Sequence, residues 1–120
     1  MNPQIQLIAA LIVGHFVMDF WAQTSDMAKG KNRNRDHSAM IPPGQKPQTV
    51  WPYFLTAHAT MHGAAVWYIT SSLTLGYFEQ IAHWLIDFGK CENWYGIHED
   101  QAMHLICKIL WAQLLWHQIV

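Results

Sequence analysis

Trp51-Pro-Tyr-Phe-Leu-Thr-Ala-His58-Ala-Thr-Met-His62-Gly-Ala-Ala-Val-Trp-Tyr-Ile-Thr70 contains no Asp, Glu, Lys or Arg, and the charge-free run continues to Phe78. A spanning helix needs about 20 predominantly apolar residues, so this stretch is long enough to cross a bilayer. Its two imidazoles, His58 and His62, are four residues apart. That spacing is a little over one helical turn and puts both rings on one face. Ionisable groups are costly in an apolar segment unless they meet a partner or a metal.

The rest of the chain repeats this composition. Met1 to Met18 carries no charged side chain and has His15 as its one imidazole, and Gln101 to Val120 carries one Lys, Lys108. Only 12% of the 120 residues are charged while 52% are hydrophobic, with seven Trp and six Met. A soluble domain averages about 25% charged. The mean hydropathy of +0.03 is low for a membrane protein because eight His and many Gln depress it. The length suits one domain and one core. The expected fold is all-α: a four-helix transmembrane bundle over residues 1–120, with helices at about 3–27, 51–71, 77–90 and 99–119. A soluble bundle with unusually apolar helices is the alternative.

Pro3 suits a first helical turn. The stretch from Lys29 to His37, followed by Pro42-Pro43-Gly44 and Pro47, breaks helices and reads as a loop over about 28–50. Ser71 to Gly76 reads as a turn, and Asn93 to Gly96 as the next break. Glu99 and Asp100 sit favourably at the positive N-terminal end of the last helix. The N-terminus MNPQIQ lacks the positive region and cleavage site of a signal peptide. Cys91 and Cys107 have no metal-type spacing and read as reduced thiols.

Lys29, Lys31, Arg33, Arg35 and Lys46 are five of the seven basic residues and all fall in the first loop. The positive-inside rule makes that loop cytoplasmic, and four passes then put both termini outside. The loop has no interleaved aromatics and no recognition motif, so topology explains it better than nucleic acid. Trp51, Tyr53, Trp94 and Tyr95 fit a cytoplasmic interfacial belt, and Trp116 an outer one.

Four other pairs share the four-residue spacing: His15/Asp19, Glu79/His83, His83/Asp87 and Asp100/His104. Random placement gives about two such pairs. Stepping along each helix at 1.5 Å per residue puts most of these groups in one slab about 15 Å deep, in the cytoplasmic half. Bundles build two-metal centres from Glu and His one turn apart on facing helices. The expected metal ligands are therefore His15, Asp19, His58, His62, Glu79, His83, Asp87, Asp100 and His104. Nine groups exceed one tetrahedral Zn site; they fit two ions, or one ion with carboxylates orienting its His ligands. Zn, Mn or Fe suits such donors. Interhelical His–carboxylate hydrogen bonds alone are the structural alternative. His37 reads as a solvated loop residue, and His98 as a loop residue near Asp100.

Gly14-His15-Phe-Val-Met-Asp19-Phe-Trp-Ala-Gln23-Thr24, His58-x3-His62, Glu79-x3-His83-x3-Asp87-x2-Lys90 and Asp100-Gln101-x2-His104 follow one another along the chain. In order and spacing they resemble an uncharacterised family of small bacterial and phage multi-pass membrane proteins, known as a domain of unknown function. That family is more distantly similar to inner-membrane proteins labelled metal-dependent hydrolases. The resemblance implies a bacterial inner-membrane location, and the Pro-rich basic loop departs from the family pattern.

The function expected from these readings is metal-dependent hydrolysis at the cytoplasmic membrane face, on a lipid headgroup or phosphoester-like substrate. Glu79 would be a ligand or the general base, and Lys90 would neutralise an anionic substrate or snorkel to the interface. Gln23 and Gln101 would orient substrate or ligands, or close helix ends. A di-iron oxidative enzyme and a non-enzymatic binder or transporter of metal ions or protons use the same residues. The clustering of the groups on one side argues against a transport path.

Overall fold

Asn2 opens the chain by accepting the Gln4 N–H on its side-chain oxygen at 2.8 Å, ahead of Pro3 in the first helical turn. A computed structural model describes residues 1–120. Helix α1 runs Pro3–Phe16 and continues through one π turn, Val17–Trp21, where the Ala22 N–H donates to the Val17 carbonyl. A short α2 covers Ser25–Gly30. Three long helices follow: α3 at Trp51–Thr70, α4 at Leu73–Cys91 and α5 at Ile97–Trp116. There are no strands, and the irregular stretch from Lys31 to Val50 holds only a 3₁₀ turn at Ser38–Met40.

Two expected boundaries are corrected by local hydrogen bonding. The first helix does not run to residue 27. Thr24 Oγ1 accepts the Met27 N–H at 3.1 Å, which starts a new helix and ends the old one at Trp21. The helix expected from residue 77 begins at Leu73, because Ser72 Oγ accepts the Leu75 N–H at 3.2 Å. Only Ser71, at φ 56°, and Ser72 form the turn. The last helix starts at Ile97 rather than 99 and ends at Trp116 rather than 119.

Gly76, read as part of a turn, lies inside α4 for a packing reason. A Cβ on Gly63 would stand 2.6 Å from the Gly76 carbonyl oxygen, and a Cβ on Gly76 would stand 2.9 Å from the Gly63 carbonyl. The two backbones touch there, as small residues allow at close helix crossings. The four long helices close a ring in which α1 packs on α3 and α5, and α4 packs on the same two. The loop is tied to the turn after α4: the Arg33 guanidinium forks onto the Glu92 carboxylate, and Asn34 Nδ2 donates to the Cys91 carbonyl at 2.9 Å. Arg33 accordingly holds the Glu92 carboxyl below its usual range.

Side chains are distributed the opposite way to a soluble bundle. Of 24 buried residues, 12 are polar or charged and 8 are hydrophobic. The outside carries Ile5, Phe20, Trp21, Tyr68, Ile81 and Ile106, each more than half exposed. The apolar core is one small layer, Leu11, Val66, Leu75, Trp111 and Ala112, at the end of the ring away from the loop. One helix, Pro3–Trp21, is long and apolar enough by itself to cross a membrane. The ionisable groups buried in α4 and α5 lower the apolarity of those helices.

The Gly63–Gly76 contact predicts that Gly63→Val forces α3 and α4 apart at a cost of about 1–3 kcal/mol, the usual penalty of overpacking. Thermal unfolding of the purified chain should show a lowered Tm for this variant and little change for Ala57→Leu on the exposed side of α3.

Candidate metal centre

Each long helix contributes one polar stripe, and the helical period builds it. The last turn of α1 carries His15, and the π turn that follows carries Asp19. Such turns recur at functional sites because they re-aim the side chains around them. His58 and His62 stand one turn apart on α3, Glu79, His83 and Asp87 on α4, and Asp100 and His104 on α5. The ring directs all nine inward, and none is more than 7% exposed.

Asp19 is the meeting point. Its Oδ1 lies 3.2 Å from His58 Nε2, 3.2 Å from His62 Nε2 and 3.8 Å from His83 Nε2. The ligand atoms of Asp19, His58, His62 and His83 all lie within 4.8 Å of one another, as do those of His15, His83 and His104, and those of Asp19, Asp100 and His104. The His83 ring stacks between His62, with centroids 3.6 Å apart, and His104, at 4.0 Å. Several of these contacts are close without being aligned. His62 Nε2 and Asp100 Oδ1 are buried with no hydrogen-bond partner, although Asp19 and His104 stand within 3.2 and 3.4 Å of them. Some donor atoms here pair as hydrogen bonds, and others converge on common points. The converging groups could hold a multidentate cation.

Glu79 takes a supporting position. Lys108 Nζ donates to its Oε1 at 2.6 Å and Trp111 Nε1 to its Oε2 at 2.7 Å. An acceptor-only carboxylate obliges the His83 Nδ1–H, 3.2 Å from Oε1, to donate. The Nε2 lone pair of His83 is then left facing Asp19 and His58, in the tautomer a metal ligand needs. Asp87 also holds a buried lysine. Lys31 Nζ reaches it from the end of α2 at 2.6 Å, and His104 Nε2 lies 3.0 Å from its other oxygen. Glu79 and Asp87, both among the expected ligands, belong to none of the three ligand groupings.

The four buried carboxylates thus divide into two kinds. Glu79 and Asp87 each hold a buried lysine. Asp19 contacts only His and Gln side chains, and Asp100 has Lys90 Nζ at 3.7 Å, the lysine itself being 30% exposed at the rim. Four buried carboxylates face two buried lysines and, at the rim, Lys90, so the carboxylates outnumber the lysines. Uncompensated charge in such surroundings costs several kcal/mol, so the residues present fit a divalent cation in sign of charge as well as in donor type.

Lys31, Lys108 and Trp111 were not among the expected site residues. Lys108 continues the four-residue step from Asp100 through His104, and Trp111 follows three later, so a search for period alone would have found them. Lys31 had no such signal, standing in a loop whose basic residues read as a topology mark. Gln101, one of two open assignments, bonds His15, Asp19 and Asp100, whereas Gln23 donates to the Asp19 carbonyl at the end of the π turn. His98 and His117 are exposed, and His37 meets the Lys29 carbonyl. A cleft of about 680 Å³ lies in the loop, lined by Arg35, His37 and Pro42 among others and by none of the nine clustered residues.

Removing one partner of a buried ion pair costs about 3–5 kcal/mol because the other charge is stranded. Lys108→Met should therefore lower stability far more than the double change Lys108→Met with Glu79→Gln, in which the stranded charge is gone. Chemical unfolding of the two variants tests this; equal losses would show that the pair is not coupled.

No curated protein and no solved structure matches the chain. Residues 7–120, a stretch that includes every residue of the cluster, match the family described as protein of unknown function (DUF3307), and to that family the chain belongs.

Proposed function

We propose that this is an integral membrane protein that binds divalent metal and hydrolyses a lipid headgroup or phosphoester-like substrate at the cytoplasmic face. The observation that carries the reading is the convergence of Asp19, His58, His62 and His83, three imidazoles and one carboxylate within 4.8 Å, buried where three helices meet. The membrane part rests on the inverted distribution of side chains. Large apolar groups cover the outside of the ring and charges fill it, which suits a solvent of lipid tails. Three of the five basic loop residues, Lys29, Arg35 and Lys46, remain free to mark the cytoplasmic side, Lys31 being engaged with Asp87 and Arg33 with Glu92.

In this reading His58, His62 and His83 hold the ion by their ring nitrogens, and Asp19 supplies the charged ligand. Glu79 fixes the His83 tautomer and is itself fixed by Lys108 and Trp111. A divalent ion held there supplies Lewis acidity, acidifying water and polarising the scissile group. Lys90, partly exposed beside Asp100, presents positive charge towards the loop end, where an anionic headgroup would arrive. The apolar layer of Leu11, Val66, Leu75, Trp111 and Ala112 closes the opposite end of the ring, which argues against a path for ions through the bundle. An oxidative di-iron centre uses the same donor types, and the identity of the bound metal separates it from the hydrolytic reading.

The test is the metal content of the full chain purified in detergent, beside His58→Ala and His83→Ala. Wild type should hold at least one Zn or Mn ion per chain, with affinity lost in both variants. It should also cleave a chromogenic phosphoester in mixed micelles, with activity removed by a chelator and restored by the metal. Trace metal unaffected by either substitution would sink the metal reading; bound metal without cleavage of phosphoesters or lipid esters would sink the hydrolase.

A further inference from the structure

We infer that the centre contains two cation positions joined by the Asp19 carboxylate, the second formed with His15, Asp100 and His104. The inference rests on the metal-binding reading above and divides its ligands.

The two oxygens of Asp19 face different groups. Oδ1 looks towards His58, His62 and His83. Oδ2 lies 3.6 Å from His15 Nε2 and 2.8 Å from Gln101 Nε2. That amide nitrogen is also 3.1 Å from Asp100 Oδ2, so two carboxylate oxygens from different helices converge on one donor. His104 stands beside them, grouped with Asp19 and Asp100 in one set of ligand atoms and with His15 and His83 in another. Asp100 is fully buried, and its Oδ1 has no hydrogen-bond partner. The two carboxylates that lack a buried lysine are the two that meet here.

Charge sets an order of filling. The buried carboxylates outnumber the lysines that face them, so the first ion binds to an anionic site. A second ion makes the interior positive and needs an anion beside it. The second position therefore fills with lower affinity, and inorganic phosphate raises that affinity, as expected of a centre whose substrate carries a phosphoryl or similar anionic group. Gln101 acts as a positioning residue, joining Asp19, Asp100 and His15 through one amide.

Mn²⁺ titration of the detergent-solubilised chain, read by metal analysis and electron paramagnetic resonance, tests the division. Wild type should take up two ions per chain with an exchange-coupled spectrum, and phosphate should tighten the second step. Asp100→Asn, which keeps the shape of the side chain, should leave one ion with the spectrum of an isolated centre. His58→Gln should instead weaken the first step. A single ion in wild type, indifferent to Asp100→Asn, would overturn the second position and leave the metal-binding reading standing. Two ions in both wild type and Asp100→Asn would overturn this ligand assignment. No ion in wild type would overturn the parent reading itself.

Discussion

A buried carboxylate without a partner costs several kcal/mol, and this chain buries four of them inside a ring of four helices. The lysines at positions 31 and 108, the five inward imidazoles and the Trp111 indole N–H are all arranged around that cost. Glu79 and Asp87 are paired with ammonium groups at 2.6 Å, and Glu79 also fixes the tautomer of His83. Asp19 and Asp100, which hold no buried lysine, stand where the imidazoles converge. Structural carboxylates and candidate ligand carboxylates are told apart by which of them hold a lysine.

The architecture serves the same constraint. Helices that carry so much polarity inside cannot rely on a large apolar core, and this one is a single small layer. Close backbone contact at Gly63 and Gly76 replaces part of it by bringing α3 and α4 together tightly enough for His62 and His83 to stack at 3.6 Å. The π turn at Val17–Trp21 places Asp19 at the focus of His58, His62 and His83. The loop contributes too, since Lys31 closes the cluster from the end of α2 and Arg33 ties the loop to the turn after α4.

Much of this was legible in the chain. The four-residue spacing of His58/His62, Glu79/His83/Asp87 and Asp100/His104 follows from helical geometry, and all nine groups picked out by it are buried together. What misled was punctuation. Gly76 reads as a turn residue because glycine usually breaks helices, whereas here it is needed for close approach inside one. Thr24 reads as a passenger in a long helix, but its hydroxyl starts a new one. That Glu79 meets Lys108 and Trp111 was not legible, because they come from α5, a helix whose rotation about its own axis no spacing rule reports.

Periodicity, composition and length determined by themselves that the chain is helical, that each long helix sets one face aside for ionisable groups, and which residues occupy those faces. These are local properties, settled by 3.6 residues per turn and by the cost of burying charge. Tertiary structure alone decided which carboxylate meets which cation, which nitrogen of His83 keeps its lone pair, and that Asp19 stands between two sets of ligands. Those outcomes depend on the depth and rotation of one helix against another. Hydrogen bonds form over about 3 Å, and a shift of a single turn, about 5 Å, would pair different groups.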